Sequence, residues 1–398
     1  MLIVCYCIVV LLIVDIKLYT DKNIHSLDWN DFPNGKEIGS YLLPLIKDGT
    51  TPYIKNSNST VMVIATKANL IPIVVSSQQK HSSKTTYITS PINQFTHFIV
   101  AEINKGLIKN FLLSFLLKKF LFVLKNLYAF SKMDDIVYVN HWLFSTNLFP
   151  EIKRGELQVI IDKIQVAFPK KAIMFKSLNK SSNLDLIEYL KSHSSSQIAV
   201  RQIFQFNPKT SEYRKKRPYI MDRKLFEKSK NLIWEEIKEA NSEDVELIQK
   251  LYQKLYIEKH NPLNPIYSKA YIKVVIQSPF VKLFIVRLEK EIVGLTLFFQ
   301  YNKILTTPLI GYNQTLPKKA GIYRLLNYFL MHYAIEQNLF LNMSSGAGQF
   351  KKQRGGIADI DYQFTVHNHL GFFRRISWKF ISKISIKLAK PYFENNII

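Results

Sequence analysis

Between Leu341 and Gly356 the chain reads LNMSSGAGQFKKQRGG. A short apolar run gives way to the small residues Ser344, Ser345 and Gly346, then to the cations Lys351, Lys352 and Arg354, and then to the pair Gly355–Gly356. Small side chains let a ligand come close to the backbone. Cations neutralise phosphate or carboxylate, and adjacent glycines permit a tight turn. The chemistry on offer is the holding of an anion. The bland alternative is a turn followed by the solvated end of a helix, where Lys and Arg are favoured in any case. A second polar stretch, VNHWLFSTNLFP (139–150), follows a β-branched run, the place where α/β sheets put ligand sites. Trp142, Ser145, Thr146 and Asn147 are its candidates for lining an acceptor pocket; a turn stopped by Pro150 explains the same residues. The sequence has no Gly-x-Ser-x-Gly elbow, no Walker-type phosphate loop and no Cys/His grouping at zinc spacing. Neither a side-chain nucleophile nor a metal is expected.

The elements that must position these residues can be read from periodicity. VMVIATKANLIPIVVSS reads as a hairpin and TTYITSP as a further strand. LIKNFLLSFLLKKFLFVLKNLYAF reads as a long amphipathic helix, over 105–130, with its apolar face in a core. A strand over 134–140 follows. Then come the helix ELQVIIDKIQVAFP, the strand KAIMFKSL, a helix opened by Ser182, and the strand QIAVRQIFQF. The charged stretch 207–240, with the cluster YRKKRP, reads as a linker. Beyond it the expected order is two helices, three antiparallel strands, the helix KKAGIYRLLNYFLMHYAIEQNL, the strand FLNMS, the cationic stretch and the final strands GIADIDYQFTVHNH. The tail 372–398 reads as a basic amphipathic helix, of the kind that docks on its own domain, lies on an anionic membrane or grips phosphate.

Bulk composition narrows the classes. With 398 residues, 47% of them hydrophobic, the chain can bury sizeable cores and is not a disordered protein. Its formal net charge of +24 suits anionic partners such as nucleic acid, anionic lipid or phosphorylated cofactors, although an AT-rich genome, which makes Lys, Asn and Ile abundant, would produce the same excess. The two cysteines, Cys5 and Cys7, share one apolar run and cannot staple a secreted scaffold, so a cytoplasmic setting fits best. That run, 2–14, is too short to span a membrane and lacks the features of a signal peptide. An anchor, a buried strand and an upstream extension all fit it.

The order of elements after residue 241 resembles the GNAT N-acyltransferase fold. GQFKKQRGG, with Phe350, Lys351, Gly355 and Gly356, resembles the Fem-type branch of that superfamily, the peptidoglycan-bridge aminoacyltransferases and their relatives. The resemblance covers most of residues 50–380 and extends to uncharacterised bacterial GNAT-like proteins. It implies a mixed α/β (α+β) fold of two tandem lobes, each a mostly antiparallel mixed sheet flanked by helices. The lobes would span 23–206 and 241–371, with an extension at 1–22. In the family, amides at a helix start bind the acyl-CoA pyrophosphate; here that place is KKAGIYRLL, with Lys318, Lys319 and Gly321, and with Tyr323 where the family has a small residue. Ser344, Ser345, Gly346, Lys351 and Arg354 would form a second wall. The implied activity is transfer of an acyl group from acetyl-CoA or another acyl-CoA to a small-molecule or peptide amine by direct attack. Fem-type relatives use aminoacyl-tRNA, so tRNA is the alternative partner, and a non-catalytic protein that binds membrane or nucleic acid is the other alternative. Acyl transfer needs a base; Tyr323, Asp361 and Tyr362 are the leading candidates, ahead of Asp359, His367 and His369.

Overall fold

The computed structural model describes residues 16–106, 108–193 and 195–397. The apolar run at 2–14, with both cysteines, lies outside the described residues.

The first half of the chain contains β1 (Lys17–Tyr19), α1 (Gly35–Asp48), β2 (Thr60–Ala65), β3 (Leu70–Ser76), α2 (Phe98–Asn104), α3 (Phe111–Phe130), β4 (Ile136–Val139), α4 (Arg154–Ala167), β5 (Ala172–Leu178), α5 (Lys180–Ser192) and β6 (Ser196–Phe206). The second half contains α6 (Arg217–Lys228), β7 (Leu232–Glu236), α7 (Ser242–Gln253), α8 (Lys269–Gln277), β8 (Val281–Leu288), β9 (Glu291–Tyr301), β10 (Ile304–Tyr312), α9 (Ile322–Glu336), β11 (Phe340–Asn342), α10 (Gly348–Lys352), β12 (Ile357–Val366), α11 (Phe372–Ile384) and α12 (Lys390–Asn395).

Among the described residues, twelve strands form one sheet in the order β1-β2-β3-β4-β5-β12-β6-β11-β10-β9-β8-β7. The order contains a repeat. In the first half β2, β3 and β4 pair antiparallel, α4 crosses over, and β5 lies parallel to β4. In the second half β8, β9 and β10 pair antiparallel, α9 crosses over, and β11 lies parallel to β10. The last strand of each half then sits beside the other half's fifth strand: β12 pairs with β5, and β6 with β11. β6 and β12 also pair with each other, so the two halves share one continuous mixed sheet. This is the tandem arrangement of mostly antiparallel sheets flanked by helices that the resemblance implies.

Local chemistry accounts for many of the element boundaries. The β2–β3 turn is closed by the Thr66 hydroxyl, which accepts from the amide of Asn69 at 3.1 Å. The Asn241 and Ser268 side chains cap α7 and α8, each worth about 1 kcal/mol. The sheet is buried on both faces. Ile71, Ile73, Val137 and Phe175 point to one side, against α4 and α5, while Leu70, Val74, Ile136 and Tyr138 point to the other, against α1 and α8.

Several expectations need correction. TTYITSP forms turns, not a strand. α5 is capped by Asn179, whose side chain accepts from the Ser182 amide at 3.0 Å; Ser182 itself lies inside the helix. The stretch 207–240 contains α6 and β7 in place of an unstructured connection, and β7 is an edge strand of the sheet. α3 does not bury a broad apolar face: Leu121, Leu124 and Tyr128 are its buried residues, and most of its other large apolar side chains are exposed. The tail breaks into α11, a π-helical turn over Ser385–Ala389, and α12, and packs on β6.

Candidate functional site

β10 and β11 pair only over Ile304–Thr306 and Phe340–Asn342. β10 runs on to Tyr312, but after β11 the chain leans away toward β6, to which Met343 and Ser344 bond (Met343 N to Phe204 O, 2.8 Å; Phe204 N to Ser344 O, 3.2 Å). The two parallel strands therefore splay into a wedge. Its rim carries the half-buried Tyr256, Tyr312, Tyr323, Ser344 and Ser345. Tyr312 and Tyr323 rings lie 5.8 Å apart, and Tyr323 and Phe350 rings 5.2 Å apart. The small residues of the quoted stretch have a backbone reason: Ser344, Gly346 and Ala347 all have positive φ, a region that bulky side chains avoid.

At the base of the wedge sits a cluster of buried charge. Arg201 on β6 and Asp361 on β12 face each other across the ladder, with Nε donating to Oδ2 at 2.7 Å. Arg201 Nη2 donates to the Ser145 carbonyl at 2.8 Å and to Thr146 Oγ1 at 3.0 Å. The Thr146 hydroxyl lies 2.9 Å from that of Ser344, joining the first half to the second. Lys351 on α10 donates through Nζ to the carbonyls of Ser345 (2.8 Å) and Ser344 (3.2 Å). Lys176 on β5 donates to the Ile88 carbonyl at 3.1 Å and sits 5.1 Å from the centre of the Tyr138 ring. Arg201 Nη1 has no hydrogen-bond partner among the described residues, and the side chain keeps 20% of its exposure.

Arg201 is the centre of the cluster: Asp361 pairs with it, and its charge reaches both buried lysines. Burial, then the charge of Arg201, lowers the pKa of both Lys176 and Lys351 to about 7. Burial raises that of Asp361, against the pull of Arg201. Asp361 Oδ1 is buried with no hydrogen-bond partner among the described residues. A neutral Lys351 matches its surroundings: two N–H groups serve two carbonyls, and the lone pair is left over.

The two walls suggested by the sequence also meet, but around an internal anion. Arg324 at the start of α9 and Arg354 after α10 both donate to the buried carboxylate of Asp222 on α6, Arg324 at 2.6 Å. Arg354 also stacks on Phe350, 3.5 Å from the ring centre. Gly321 has φ +64°, and a Cβ there would meet Leu225 of α6 at 2.7 Å. Lys318 and Lys319 beside it are exposed. The glycine pair serves packing: a Cβ on Gly355 would meet Tyr213 at 2.7 Å, and one on Gly356 the Lys351 carbonyl at 3.0 Å.

Of the candidates read from sequence, the structure brings Ser145, Thr146, Ser344, Ser345, Lys351 and Asp361 together and sets Tyr323 at the rim. Tyr362 faces the opposite side of the sheet from Asp361, in the core against α5. Trp142 is fully buried, its indole N–H on Asn140 Oδ1 at 3.1 Å. Asn147 is a buried strut that accepts from the Trp142 amide at 2.8 Å. Asp359 caps the start of α5 through Ser181, and His367 bonds Ser196 at 2.7 Å. Lys176, Arg201 and Tyr256 were not anticipated. The first two carry a signal: Lys176 in AIMFKSL and Arg201 in QIAVRQIFQF are each the single charged residue of a strand, where a buried charge must be paired or functional. Among the described residues, no group of three or more His, Cys, Asp or Glu could hold a metal.

No family model matches the chain, and neither does any curated protein. Solved structures do resemble it. The structure of L-PGS from Bacillus licheniformis is 13% identical, over 57% of this chain and 79% of that one, with a TM-score of 0.43. FemX is 10% identical, over 58% and 80%, at 0.43. A protein of unknown function from Enterococcus faecalis V583, described as a probable N-acyltransferase, is 8% identical over 90% of this chain and 73% of its own, at 0.35. At such distances they say nothing about chemistry, which must come from this chain's own residues.

Proposed function

We propose that the protein is an N-acyltransferase that moves an acyl group from acyl-CoA to an amine acceptor in the wedge between β10 and β11. The observation that carries this reading is the buried Arg201–Asp361 pair beside that wedge, with Lys176 and Lys351 close enough to Arg201 for its charge to depress both. The acyl carbonyl lies against the open Nη1 edge of Arg201, which would hold the oxyanion of the tetrahedral intermediate. The acceptor amine attacks the thioester carbon and gives its proton to the lone pair of Lys351. Collapse breaks the C–S bond, and the Lys351 ammonium returns the proton to the leaving thiolate. Asp361 keeps Arg201 in place and balances part of its charge. Lys318, Lys319 and the start of α9 are where the donor's phosphates would sit.

Aminoacyl-tRNA is the alternative donor. The observation favouring it is a basic groove between β6, β12 and α11, lined by Lys191, Lys379, Lys383 and Lys387. Thermal melting separates the readings. Saturating acetyl-CoA is expected to raise the melting temperature, because a ligand that binds only the folded state stabilises it. The paired change Arg201→Gln with Asp361→Asn, which removes both charges together, is expected to lower kcat and leave that rise largely in place, because Arg201 acts on the oxyanion while the phosphates sit at the start of α9. Stabilisation by aminoacyl-tRNA and not by acetyl-CoA would transfer the site to the other donor. A melting temperature unmoved by either would end the acyltransferase reading.

A further inference from the structure

We propose that α3 and the start of α11 form a single docking face for an anionic phospholipid membrane. The face is separate from the wedge and does not depend on how the wedge is used.

α3 touches the core along a narrow stripe, Leu121, Leu124 and Tyr128. A 20-residue helix packed this way leaves most of its circumference free. That free surface is apolar: Phe111 is 85% exposed, Leu112 64%, Phe122 60% and Val123 62%. Phe115 and Leu116 add about half of their surface each. Water-exposed helix faces are normally polar, and a large contiguous apolar patch marks a surface that something else covers.

The patch continues onto a second element. At the C-terminal end of α3 the rings of Phe130 and Phe373 are 5.9 Å apart. Ser131 and Ser377 hydroxyls meet at 2.6 Å, and Arg374 donates to the carbonyl of Ser131 at 3.1 Å. Phe372 and Phe373 at the start of α11 are 62% and 65% exposed. Two helices distant in sequence thus present one apolar surface.

Charge identifies the occupant. Residues 103–133 contain six lysines and no Asp or Glu, and the start of α11 adds Arg374 and Arg375, again with no Asp or Glu. A second copy of the chain would set like charges against like. The apolar run 2–14 could cover the rings but would leave the cations unmatched. An anionic lipid surface satisfies both, with the rings at the headgroup and acyl boundary and the lysines among the phosphates. Among the described residues no helix is long and apolar enough to cross a membrane, and Lys118, Lys119 and Lys125 interrupt α3, so the helix lies in the interface plane.

The test is co-sedimentation of the full-length protein with vesicles of phosphatidylglycerol and phosphatidylcholine in equal parts, against vesicles of phosphatidylcholine alone. Binding is expected only to the anionic vesicles and is expected to weaken as salt rises. Phe115→Ser with Phe122→Ser, both at exposed positions, should leave the melting temperature unchanged and reduce binding about tenfold or more. Lys118→Glu with Lys119→Glu should do the same. Wild-type protein that ignores anionic vesicles, or serine variants that bind as well as wild type, would overturn the proposal. So would deletion of residues 1–15 that alone abolishes binding, or a solution dimer that the serine variants split while no form binds vesicles.

Discussion

The two halves each contain a pair of parallel strands that part, and they treat the gap differently. In the first half β4 ends at Val139 while β5 runs on to Leu178, and the chain itself fills the space. Trp142 and Phe144 are fully buried there, His141 bonds the Ile88 carbonyl at 2.9 Å, and the Asn147 amide donates to Ser177 Oγ at 3.0 Å. In the second half the residues around the gap between β10 and β11 are half-exposed tyrosines and serines. Strands that splay expose backbone groups needing partners. One half satisfies them with its own loop, and the other borders them with half-buried tyrosines and serines. The same topology therefore makes a strut in one place and a candidate site in the other. The charged cluster lies where the halves share strands, so the strut also positions Ser145 and Thr146 for Arg201.

The contrast breaks most directly at Lys351. Lys351→Met is expected to lower kcat by about 10²–10⁴, the usual worth of general acid–base catalysis, with the fold intact. In the wild type the rate should rise through pH about 7 as Lys351 loses its proton. The stability sign follows from the same displacement. The folded-state pKa of about 7 lies below the lysine's ordinary 10.5, so between those values the unfolded chain binds more protons and stability rises with pH. The penalty for holding this lysine is therefore greatest below pH 7 and relieved toward pH 10.5. Lys351→Met removes it, so the variant should gain on the wild type at pH 6, keep only part of that gain at pH 9 and lose it toward pH 10.5. A variant with wild-type kcat, or a rate flat through pH 7, would place the base elsewhere.

Asn147→Ala probes the strut. Its side chain accepts from the amide of Trp142, and that buried donor would be left without a partner. Denaturant unfolding should show a loss of about 1–3 kcal/mol. The acetyl-CoA affinity of the protein that remains folded should stay near wild type. Loss of affinity without loss of stability would show that the filled gap takes part in binding and would erase the distinction between the halves.

Much of this arrangement is legible in the sequence, and the illegible part has definable causes. The β2–β3 hairpin, β8 to β10 and α7 to α9 follow from β-branched alternation, capping residues and helical period, which are local signals. Ser344, Ser345 and Lys351 stand out because small residues and cations are adjacent in the chain. The partnership of Arg201 with Asp361 is not legible, because it depends on a register between strands 160 residues apart. Asp222 as the anion between Arg324 and Arg354 is hidden for a similar reason, since a charged stretch reads as a connection until α6 packs on α9. Trp142 and Asn147 misled because a polar, aromatic segment after a strand looks alike whether it lines a pocket or plugs one. α3 misled because periodicity shows where an apolar face lies without showing that anything covers it.

The smallest expected effect concerns the start of α9. Lys318 and Lys319 are exposed and precede Gly321, whose φ of +64° turns the chain into the helix. Arg324, one turn later, is already engaged by Asp222. If the donor's phosphates meet this corner, they meet the two lysines and the first free amides, with Leu225 closing one side. Exposed charge is screened by solvent, so each lysine contributes little. Lys318→Ala with Lys319→Ala should therefore change unfolding stability by less than about 0.5 kcal/mol and weaken acetyl-CoA about three- to tenfold, with the loss shrinking as salt rises. Isothermal titration at two salt concentrations measures both. An unchanged affinity at low salt would mean that the donor enters the wedge without touching the start of α9.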